Sequence, residues 1–444
     1  MNKITVFMNG TVVTQDAARP LIEDGAVVVQ GDEIIACGTT EAIQTQYDLA
    51  AAYRVDAKGG LIMPGFMNTH NHIYSAMARG MHVFIPPKAD LLTILKQLWW
   101  KMDASLTNEL TYQSARMVYL ECIKNGVTSM IDHHASYGEI QDSLSAIAAA
   151  AQEFQVKSCL CYEVSDRMGI SAAHEAVLEN ERFINEAKQS DILEGMMGLH
   201  ASFTLSDATL EFAAAHANGA GFHVHVAEGS IDETDCMEIY HMPIIKRFQH
   251  WGLLGKKSLM AHCIHINTEE MKILAQTHTP TVFNPESNMN NAAGYPPVLS
   301  MMQQGITVGL GTDAYTQDMM ESFKAAVLLN KHALQDTTAG YTEVPQMLFV
   351  NNRDIMNRHF ARPTGIIKAH AAADIIVVDY HAPTPLQKEN LYDHILFGIQ
   401  GHDVISTMAN GKLVMENREL HGIDEEKIIA DCRKGSETLW RTLA

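Results

Sequence analysis

Two histidines separated by one residue close an apolar run in the first part of the chain. His70 and His72 follow residues 61–67, which are mostly apolar. Side chains two positions apart on a strand share a face, so both imidazoles would be presented together. Neutral imidazoles are ligands that zinc and related divalent metals prefer. An isolated pair of this kind is also typical of ordinary surface or core histidines. Further candidate ligands later in the chain are needed to distinguish the two interpretations.

Three later apolar runs end in side chains of the same ligand types. One carries His223 and His225 and is followed by Glu228. Another ends in His262, and a third ends in Asp313. Four strand-like runs that all end in metal-binding residue types are hard to attribute to chance. The pattern therefore predicts a metal-dependent enzyme.

The composition is typical of one large globular enzyme. The chain has 444 residues, 47% of them hydrophobic and 19% charged, which allows a substantial buried core. It has 32 Lys and Arg residues against 52 Asp and Glu residues, so its net charge is -20. An acidic surface repels phosphate backbones and anionic lipids. We therefore expect a small-molecule substrate, with neither nucleic acid nor a membrane as a partner.

Targeting signals and cysteine usage indicate where the protein resides. No apolar run approaches the ~18 residues of a membrane span, and the first residues lack a signal peptide's long apolar stretch. Seven scattered cysteines, an odd number, do not indicate a disulfide framework. These features predict a cytoplasmic protein with reduced thiols. Apolar helical surface further favours a homodimer.

Strand-like segments lie at both ends of the chain. Residues 4–38 and 374–416 contain alternating runs, and the Asn-Gly pair at position 410 stands between two of them. Asn-Gly between apolar runs is a strong hairpin signal. Each end alone has too few strands to bury a core. We therefore predict one small composite β-sandwich domain, built from residues 1–58 and 366–444.

Between these ends, strand-like runs alternate with long amphipathic helical stretches, which predicts parallel strands with crossover helices. The eight runs cover residues 61–72, 126–133, 155–165, 195–204, 221–227, 257–266, 279–284 and 306–313. This pattern predicts an α/β protein whose residues 59–365 form a (β/α)8 TIM-like catalytic barrel. Such barrels build their active sites at the carboxyl ends of the strands, which is where the candidate ligands fall.

Several motifs together resemble the amidohydrolase superfamily over essentially the whole chain. They are the Pro-Gly-Phe-Met-Asn-Thr-His-Asn-His segment at 64–72, the three-residue step from His225 to Glu228, His262 within Ala-His-Cys, and Asp313 within Gly-Thr-Asp. The chain is most similar to the mononuclear branch with guanine and S-adenosylhomocysteine deaminases and atrazine-type chlorohydrolases. Within it, the chain resembles SsnA-type aminohydrolases most.

Two further segments carry the likeness to that branch. Residues 284–288 match its Asn-Pro-x-Ser-Asn pattern, and residues 198–204, which include His200, match its histidine segment on the substrate side. The resemblance implies a TIM-like barrel fold and a metal centre, and it is less specific about the substrate.

The resemblance also implies which residues hold a single divalent ion. The implied ligands are His70, His72, His225 and Asp313. Zinc is the first choice, and three imidazoles with a carboxylate also suit Fe(II) or Mn(II). His223 is the alternative to His225, because it lies on the same strand face; the step of three to Glu228 favours His225. Strict alternation would turn Glu228 to the other face, so we expect the strand to end near Ala227.

The implied reaction is hydrolytic deamination of a small N-heterocycle of the purine, pterin or pyrimidine type. A divalent ion lowers the pKa of water from ~15.7 toward ~7. Asp313 and His262 would handle that water's proton, Glu228 would protonate a ring nitrogen, and Asp313 would protonate the leaving amine. General acid and base catalysis of this kind contributes ~10² to 10⁴ each. The products would be a carbonyl compound and ammonia.

Substrate contacts are predicted from two residues at strand ends. His200 and Arg167 could bind a substrate carbonyl or carboxylate, since Arg suits planar anions; a salt bridge is an equal alternative for Arg167. His133 and His134 either line the pocket or serve packing.

Two other functions stay open at this stage. The fourth run lacks the lysine that bridges two metals in binuclear relatives, which favours one metal. If Glu163 bridged instead, His200 and His262 would hold a second ion, and such an enzyme would open a cyclic amide of the hydantoin or ureide type. A non-catalytic barrel scaffold is disfavoured, because a scaffold has no need of this set of ligand residues.

Overall fold

Strands from both ends of the chain pair in one sheet. The computed structural model describes residues 4–443. This outer sheet has nine strands in the order β18-β17-β16-β15-β5-β1-β2-β3, with β4 beside β1. Its strands are β1 (Ile4–Val13), β2 (Leu21–Gln30), β3 (Glu33–Thr39), β4 (Tyr53–Asp56), β5 (Leu61–Pro64), β15 (Ile375–Val378), β16 (Val404–Ala409), β17 (Lys412–Glu416) and β18 (Glu419–Leu420).

Alternation along these strands separates the two faces of the outer sheet. Phe7 and Val27 pack with Ile375 in one buried cluster, while Val6 and Val28 pack in another on the opposite face. The period of two expected for strands is therefore realised. The pairing runs through one continuous sheet, so the two-layer sandwich stays a prediction.

The remaining strands form two parallel sheets that alternate with helices. One sheet has the order β6-β7-β8-β9 and the other β10-β11-β12-β13-β14. Their strands are β6 (Phe66–Asn71), β7 (Val127–His134), β8 (Lys157–Tyr162), β9 (Leu193–Gly195), β10 (Met197–Ala201), β11 (Phe222–Val226), β12 (Leu259–His262), β13 (Thr281–Phe283) and β14 (Val308–Leu310). Each of the eight predicted runs contains a strand of this TIM-like α/β arrangement.

Hydrogen bonds connect the two parallel sheets along both of their edges. At one edge, the Val164 N–H donates to the Gly198 carbonyl at 3.2 Å and the His200 N–H donates to the Val164 carbonyl at 2.9 Å. At the other edge, the N–H groups of Thr312 and Asp313 donate to the His70 carbonyl at 3.1 and 2.9 Å. Backbone hydrogen bonds therefore join strand runs of the two parallel sheets at both places.

One of the predicted runs is divided in the structure. Residues 61–72 form β5 of the outer sheet and then β6 of the inner one. The fourth run contains β10, and the short strand β9 before it shares only Gly195 with that run. The chain changes sheet at Gly65, where a Cβ would lie 2.2 Å from the Thr128 Oγ1. Periodicity alone showed one apolar run, because both strands are fully buried.

Helices follow most of the barrel strands and some strands of the outer sheet. They are α1 (Thr40–Gln46), α2 (Leu91–Ile94), α3 (Trp100–Asp103), α4 (Asn108–Lys124), α5 (Ser143–Phe154), α6 (Ile170–Ala187), α7 (Asp207–His216), α8 (Ser230–Tyr240), α9 (Ile244–His250), α10 (Thr268–Thr277), α11 (Pro285–Asn290), α12 (Val298–Gln303), α13 (Met319–Leu334), α14 (Glu343–Pro345), α15 (Asn352–Met356), α16 (Leu391–Gly398) and α17 (Glu425–Leu443). Within residues 4–443, none of these helices has the length and apolar character needed to cross a membrane.

A buried ion pair fastens the outer sheet to the barrel. The Lys157 Nζ on β8 lies 2.7 Å from the Asp374 Oδ2, and both side chains are almost completely buried. Asp374 immediately precedes β15, and it also accepts a hydrogen bond from the Thr364 hydroxyl at 2.8 Å. Because these contacts satisfy the buried charge, they fix the outer sheet relative to the strands that carry the site.

Candidate metal centre

Four of the predicted ligands converge at the carboxyl ends of the barrel strands. The ligand atoms of His70, His72 and His225 all lie within 4.8 Å of one another, and so do those of His70, His262 and Asp313. All five side chains are buried. Residues up to 243 positions apart in the chain are therefore brought to one point.

Two of the imidazoles have their tautomers set by backbone carbonyls. The His72 Nδ1 lies 2.6 Å from the His133 carbonyl oxygen, and the His225 Nδ1 lies 2.9 Å from the His200 carbonyl oxygen. In a neutral imidazole, the nitrogen that faces a carbonyl must carry the proton. The two Nε2 atoms, 3.2 Å apart, then present lone pairs to each other. This arrangement is unfavourable unless a cation accepts both lone pairs.

The His70 ring is oriented by a second histidine behind it. Its Nδ1 lies 2.9 Å from the His223 Nε2, while its own Nε2 is buried without a hydrogen-bond partner. A buried nitrogen without a partner fits a metal ligand, since it would otherwise cost free energy. The geometry thus favours His225 over His223 as the candidate donor, and His223 lies behind His70.

Asp313 completes the donor set. Its Oδ1 lies 3.4 Å from the His72 Nε2, and its Oδ2 lies 3.4 Å from the His262 Nε2. Burial acts to raise the pKa of Asp313, but His72 and His262 outweigh it and hold the pKa below its usual range. Three imidazoles and an ionised carboxylate fit a divalent ion such as zinc.

Glu228 reaches the same point because the strand before it ends early. β11 ends at Val226, and Ala227 adopts a left-handed φ of 46°. The Glu228 Oε2 lies 3.6 Å from the His262 Nε2, and its Oε1 accepts from the Asn291 amide at 3.3 Å. Burial raises the pKa of Glu228, although His262 acts against the shift. The side chain therefore keeps its proton to higher pH than an exposed glutamate.

His262 is held in a form that can accept a proton at the centre. Its Nδ1 lies 2.9 Å from the Asn288 Oδ1, which can only accept, so the Nδ1 carries the ring proton. The Nε2 faces Glu228 and Asp313 without a hydrogen bond. Asn288 belongs to the 284–288 motif, which here forms the start of α11.

A cavity opens directly above these residues. His72, His225, Glu228 and Asp313 line it, together with the aromatic side chains of Tyr74, Trp99, Trp100, Phe203 and Tyr315. His200, predicted to contact substrate, also lines it, with its Nδ1 2.7 Å from the Thr204 hydroxyl. Burial lowers the pKa of His200 to about 4, so the ring is neutral near pH 7.

Arg167 lies behind the cavity wall instead of on it. Its guanidinium contacts the Glu163 Oε1 and the Asp103 Oδ2, each at 2.6 Å, and only 6% of the side chain is exposed. It does not line the cavity. Arg167 therefore forms salt bridges, as the alternative prediction had it. Both ion pairs are buried and do not lie on the protein surface. Asp103 was missed by the sequence analysis, because a single aspartate at the end of α3 carries no motif.

The structure also locates the residues whose roles were left open. The His133 Nε2 lies 3.0 and 3.2 Å from two strand carbonyls, and its Nδ1 lies 3.4 Å from the Glu163 Oε2. His133, Glu163 and His225 form a further group of close donors. Among residues 4–443, no such group joins Glu163 to His200 and His262, the set predicted for a second ion. The His134 Nε2 is taken by the Ser136 hydroxyl at 2.9 Å.

Comparison with known proteins agrees with this geometry. The model of the amidohydrolase family matches residues 61–414. The chain belongs to the amidohydrolase family. The expectation of a metal-dependent hydrolase of carbon-nitrogen bonds, an aminohydrolase with zinc as the first choice of ion, is confirmed at this level.

Individual relatives extend over nearly the whole amidohydrolase chain. A 5'-deoxyadenosine deaminase from Methanosarcina acetivorans is 29% identical, with 98% of each chain covered. A 5-methylthioadenosine/S-adenosylhomocysteine deaminase from Pelotomaculum thermopropionicum is 28% identical, with 97% of each covered. The crystal structure of an adenosine deaminase from Xanthomonas campestris with bound zinc has a TM-score of 0.87 at 21% identity, covering 99% of this chain and 98% of its own. The structural likeness supports the TIM-like barrel.

Proposed function

We propose that this amidohydrolase removes the exocyclic amino group of a small N-heterocycle by hydrolysis, releasing ammonia. The observation that carries the proposal is the pair of facing Nε2 atoms of His72 and His225, beside the unpartnered His70 Nε2. With Asp313, these atoms would hold one divalent ion. When bound, such an ion supplies the positive charge that makes a water molecule acidic near neutral pH.

The protein's own residues then move the protons. The unprotonated His262 Nε2, 3.4 Å from Asp313, accepts a proton from water. Glu228, whose pKa is raised by burial, donates a proton to a ring nitrogen beside the attacked carbon. Asp313 takes the water's proton from His262 and gives it to the leaving amine as the carbon–nitrogen bond breaks. The proton of the new hydroxyl group returns to Glu228 as the carbonyl forms. His200 hydrogen-bonds the substrate from the cavity wall, and Arg167 acts through Glu163 and Asp103.

Adenine-type compounds are the first substrates to test. The similar proteins are named as deaminases of 5'-deoxyadenosine and of 5-methylthioadenosine and S-adenosylhomocysteine. Aromatic side chains on the wall, including Trp99 and Trp100, suit a flat ring. Pterins and pyrimidines with a ring amine come second.

The finer structural assignments belong to the same proposal. The hydrogen bonds along both sheet edges support a closed (β/α)8 barrel over residues 59–365. The outer sheet supports a composite domain from residues 1–58 and 366–444, with β5 extending it by a few residues. A cytoplasmic homodimer with neither nucleic acid nor a membrane as a partner remains the prediction from composition.

The test measures metal content and ammonia release together. Wild-type protein is expected to hold about one zinc per chain and to release ammonia from at least one aminated purine, pterin or pyrimidine. His70→Ala removes a ligand, so both metal and activity are expected to be lost. His370→Ala is the matched control, because that side chain is 88% exposed.

Two results would overturn the proposal. If the His70→Ala variant still bound one metal ion per chain, His70 would not be a ligand. Two ions per chain, with ring opening of cyclic ureides and no ammonia, would instead support the cyclic amide hydrolase, for which the group of His133, Glu163 and His225 provides additional donors.

A further inference from the structure

One face of the short helix α11 is polar and lies against the candidate metal centre. The helix runs over Pro285–Asn290, with Asn284 before it and Asn291 at its carboxyl end. Positions 284, 287, 288 and 291 follow the i, i+3, i+4, i+7 pattern, so their side chains share a face. Ser287 and Asn291 line the cavity, while Asn288 is fully buried. This face therefore offers amide and hydroxyl groups to the residues that move protons.

Asn288 orients one of those residues, and Asn291 makes a similar contact with another. The Asn288 Oδ1 lies 2.9 Å from the His262 Nδ1, which leaves the His262 Nε2 to accept a proton. The Asn291 Nδ2 donates to the Glu228 Oε1 at 3.3 Å. One short helix therefore contacts both His262 and Glu228, which are the proposed proton acceptor and the proposed acid.

The amide group of Asn291 is held at both of its ends. Its Nδ2 also donates to the Ser287 hydroxyl at 3.4 Å, and its Oδ1 accepts from the Asn290 amide at 3.4 Å. These contacts tell the two ends of the amide apart, since the Nδ2 can only donate and the Oδ1 can only accept. The donor end therefore faces Glu228.

A donor at the Glu228 Oε1 decides which oxygen of the protonated acid carries the proton. In a carboxylic acid, the carbonyl oxygen is the better acceptor and the other oxygen bears the hydrogen. Because Oε1 accepts from Asn291, the proton of Glu228 belongs on Oε2. Oε2 is the oxygen that lies 3.6 Å from the His262 Nε2, so the proton is presented towards the centre.

Little else fixes the carboxyl group of Glu228. The side chain follows Ala227, whose positive φ of 46° ends the regular strand, and precedes Gly229. Within the part of the chain that the structure describes, no other side chain donates a hydrogen bond to Glu228. Without Asn291, the carboxyl group is free to rotate and its proton can occupy either oxygen.

We propose that Asn291 is a positioning residue for the deamination, which holds Glu228 with its protonated Oε2 towards the ring nitrogen of the substrate. Glu228 is the group that gives up the proton and recovers one from the new hydroxyl group, and Asn291 acts through it. The inference rests on the proposed function, because it takes Glu228 as the acid.

Asn291→Ala tests the residue in the zinc-loaded enzyme. The change removes the amide but keeps the end of α11, which is closed by the backbone N–H of residue 291 donating to the Ser287 carbonyl at 2.9 Å. We expect kcat to fall about 5- to 30-fold, the loss expected for one hydrogen bond. KM is expected to stay within about threefold of its wild-type value, with the zinc content unchanged. Asn185→Ala, the same change at an exposed position on α6, is the matched control and should alter neither constant.

A double variant separates positioning of Glu228 from other roles of Asn291. In the Glu228→Gln background there is no acid proton to position, so adding Asn291→Ala is expected to lower kcat by less than about twofold. A purely structural role, or a direct contact between Asn291 and the substrate, would give the same loss in both backgrounds. Equal losses would therefore reject the inference, and so would a wild-type kcat in Asn291→Ala.

A second substitution covers the case in which Asn291→Ala does not fold. Asn291→Leu has a side chain of similar size without the amide, so the same loss of kcat and the same dependence on Glu228 are expected. A wild-type kcat in this variant would reject the inference in the same way.

Failure of the deaminase proposal would look different, because the wild type would then release no ammonia from any ring amine. In that case infrared difference spectra of wild type and Glu228→Gln isolate the C=O stretching band of the protonated Glu228. A hydrogen bond to a carbonyl oxygen lowers its stretching frequency, so the band is expected to move to higher frequency in Asn291→Ala. This shift would support the role of Asn291 without deamination, and an unshifted or missing band would reject it.

Discussion

The hydrogen-bond partners of the histidines decide which nitrogen atoms face the centre. Backbone carbonyls of residues 133 and 200 hold the protons of His72 and His225 on Nδ1. The His223 Nε2 holds the proton of His70 on Nδ1 in the same way. Because a ligand nitrogen must be unprotonated, these contacts prepare the site for a metal.

His223 gives the first prediction. His223→Phe removes the acceptor for the His70 Nδ1, so the affinity for zinc is expected to fall about 10- to 100-fold. The dissociation constant is measured by competition with a chelator. His216→Phe, a change on the helix α7 away from the centre, is the control. Complete loss of zinc from His223→Phe at saturating metal would instead make His223 a direct ligand.

Glu228 gives the second prediction. Glu228→Gln keeps the shape of the side chain and its contact with Asn291 but has no carboxylic proton to donate. We expect kcat to fall about 10²- to 10⁴-fold, while metal content stays at the wild-type level. Glu269→Gln, at a side chain that is 77% exposed, should leave both unchanged. Activity near the wild-type level in Glu228→Gln would exclude Glu228 as the acid.

At the scale of elements, the ends of the strands are as important as the strands. Ala227, His262 and Asp313 all have positive φ angles, of 46°, 70° and 56°. Such angles are uncommon outside glycine, and they turn the chain sharply where a strand ends. Side chains that simple alternation would separate, such as His225 and Glu228, are thereby brought to one cavity.

Gly65, where the chain passes from β5 of the outer sheet to β6 of the barrel, gives the third prediction. In Gly65→Ala, the new Cβ would lie 2.2 Å from the Thr128 Oγ1, so we expect a loss of about 1–3 kcal/mol in the free energy of unfolding. Chemical denaturation measures it. Gly38→Ala is the control, because its nearest neighbour would be 3.7 Å away.

A double variant shows whether the clash is the cause. Thr128→Ala removes the two closest atoms at Gly65, so the combination with Gly65→Ala should lose less than the sum of the two single changes. Additive losses would contradict this explanation.

At the scale of the whole molecule, buried carboxyl groups connect stability to pH. Burial raises the pKa of Glu286 to about 8, and it raises those of Asp132 and Asp232 to about 7. At these three groups, the folded protein therefore holds protons that the unfolded chain has already released at the same pH. Their contribution to stability falls as the pH rises from their usual pKa values to about 7 or 8.

Glu286 gives the fourth prediction. Glu286→Gln cannot ionise, and its amide can still contact the Ser322 hydroxyl, the present partner of Glu286. Its thermal midpoint is expected to rise relative to wild type on going from about pH 5 to about pH 9. Calorimetry at both pH values measures the change. A constant difference would show that Glu286 does not titrate in this range, and Glu419→Gln, an exposed change, should show none.

Much of the fold and of the candidate donor set could be predicted from the sequence. Apolar runs with polar ends determined eight barrel strands, because burial of a strand leaves a local pattern. The ligand types at those ends determined the metal chemistry, since imidazole and carboxylate are chemical properties of single residues. The early end of the strand before Glu228 was also predicted, from its spacing to His225.

Only the tertiary structure decided which long-range partners surround these residues. Arg167 meets Asp103 across 64 positions of sequence, and His262 meets Asn288 across 26. The division of residues 61–72 between two sheets was likewise hidden, because strands buried in either sheet look alike in sequence. Periodicity records whether a side chain is buried, but the identity of its neighbour depends on how separate elements pack.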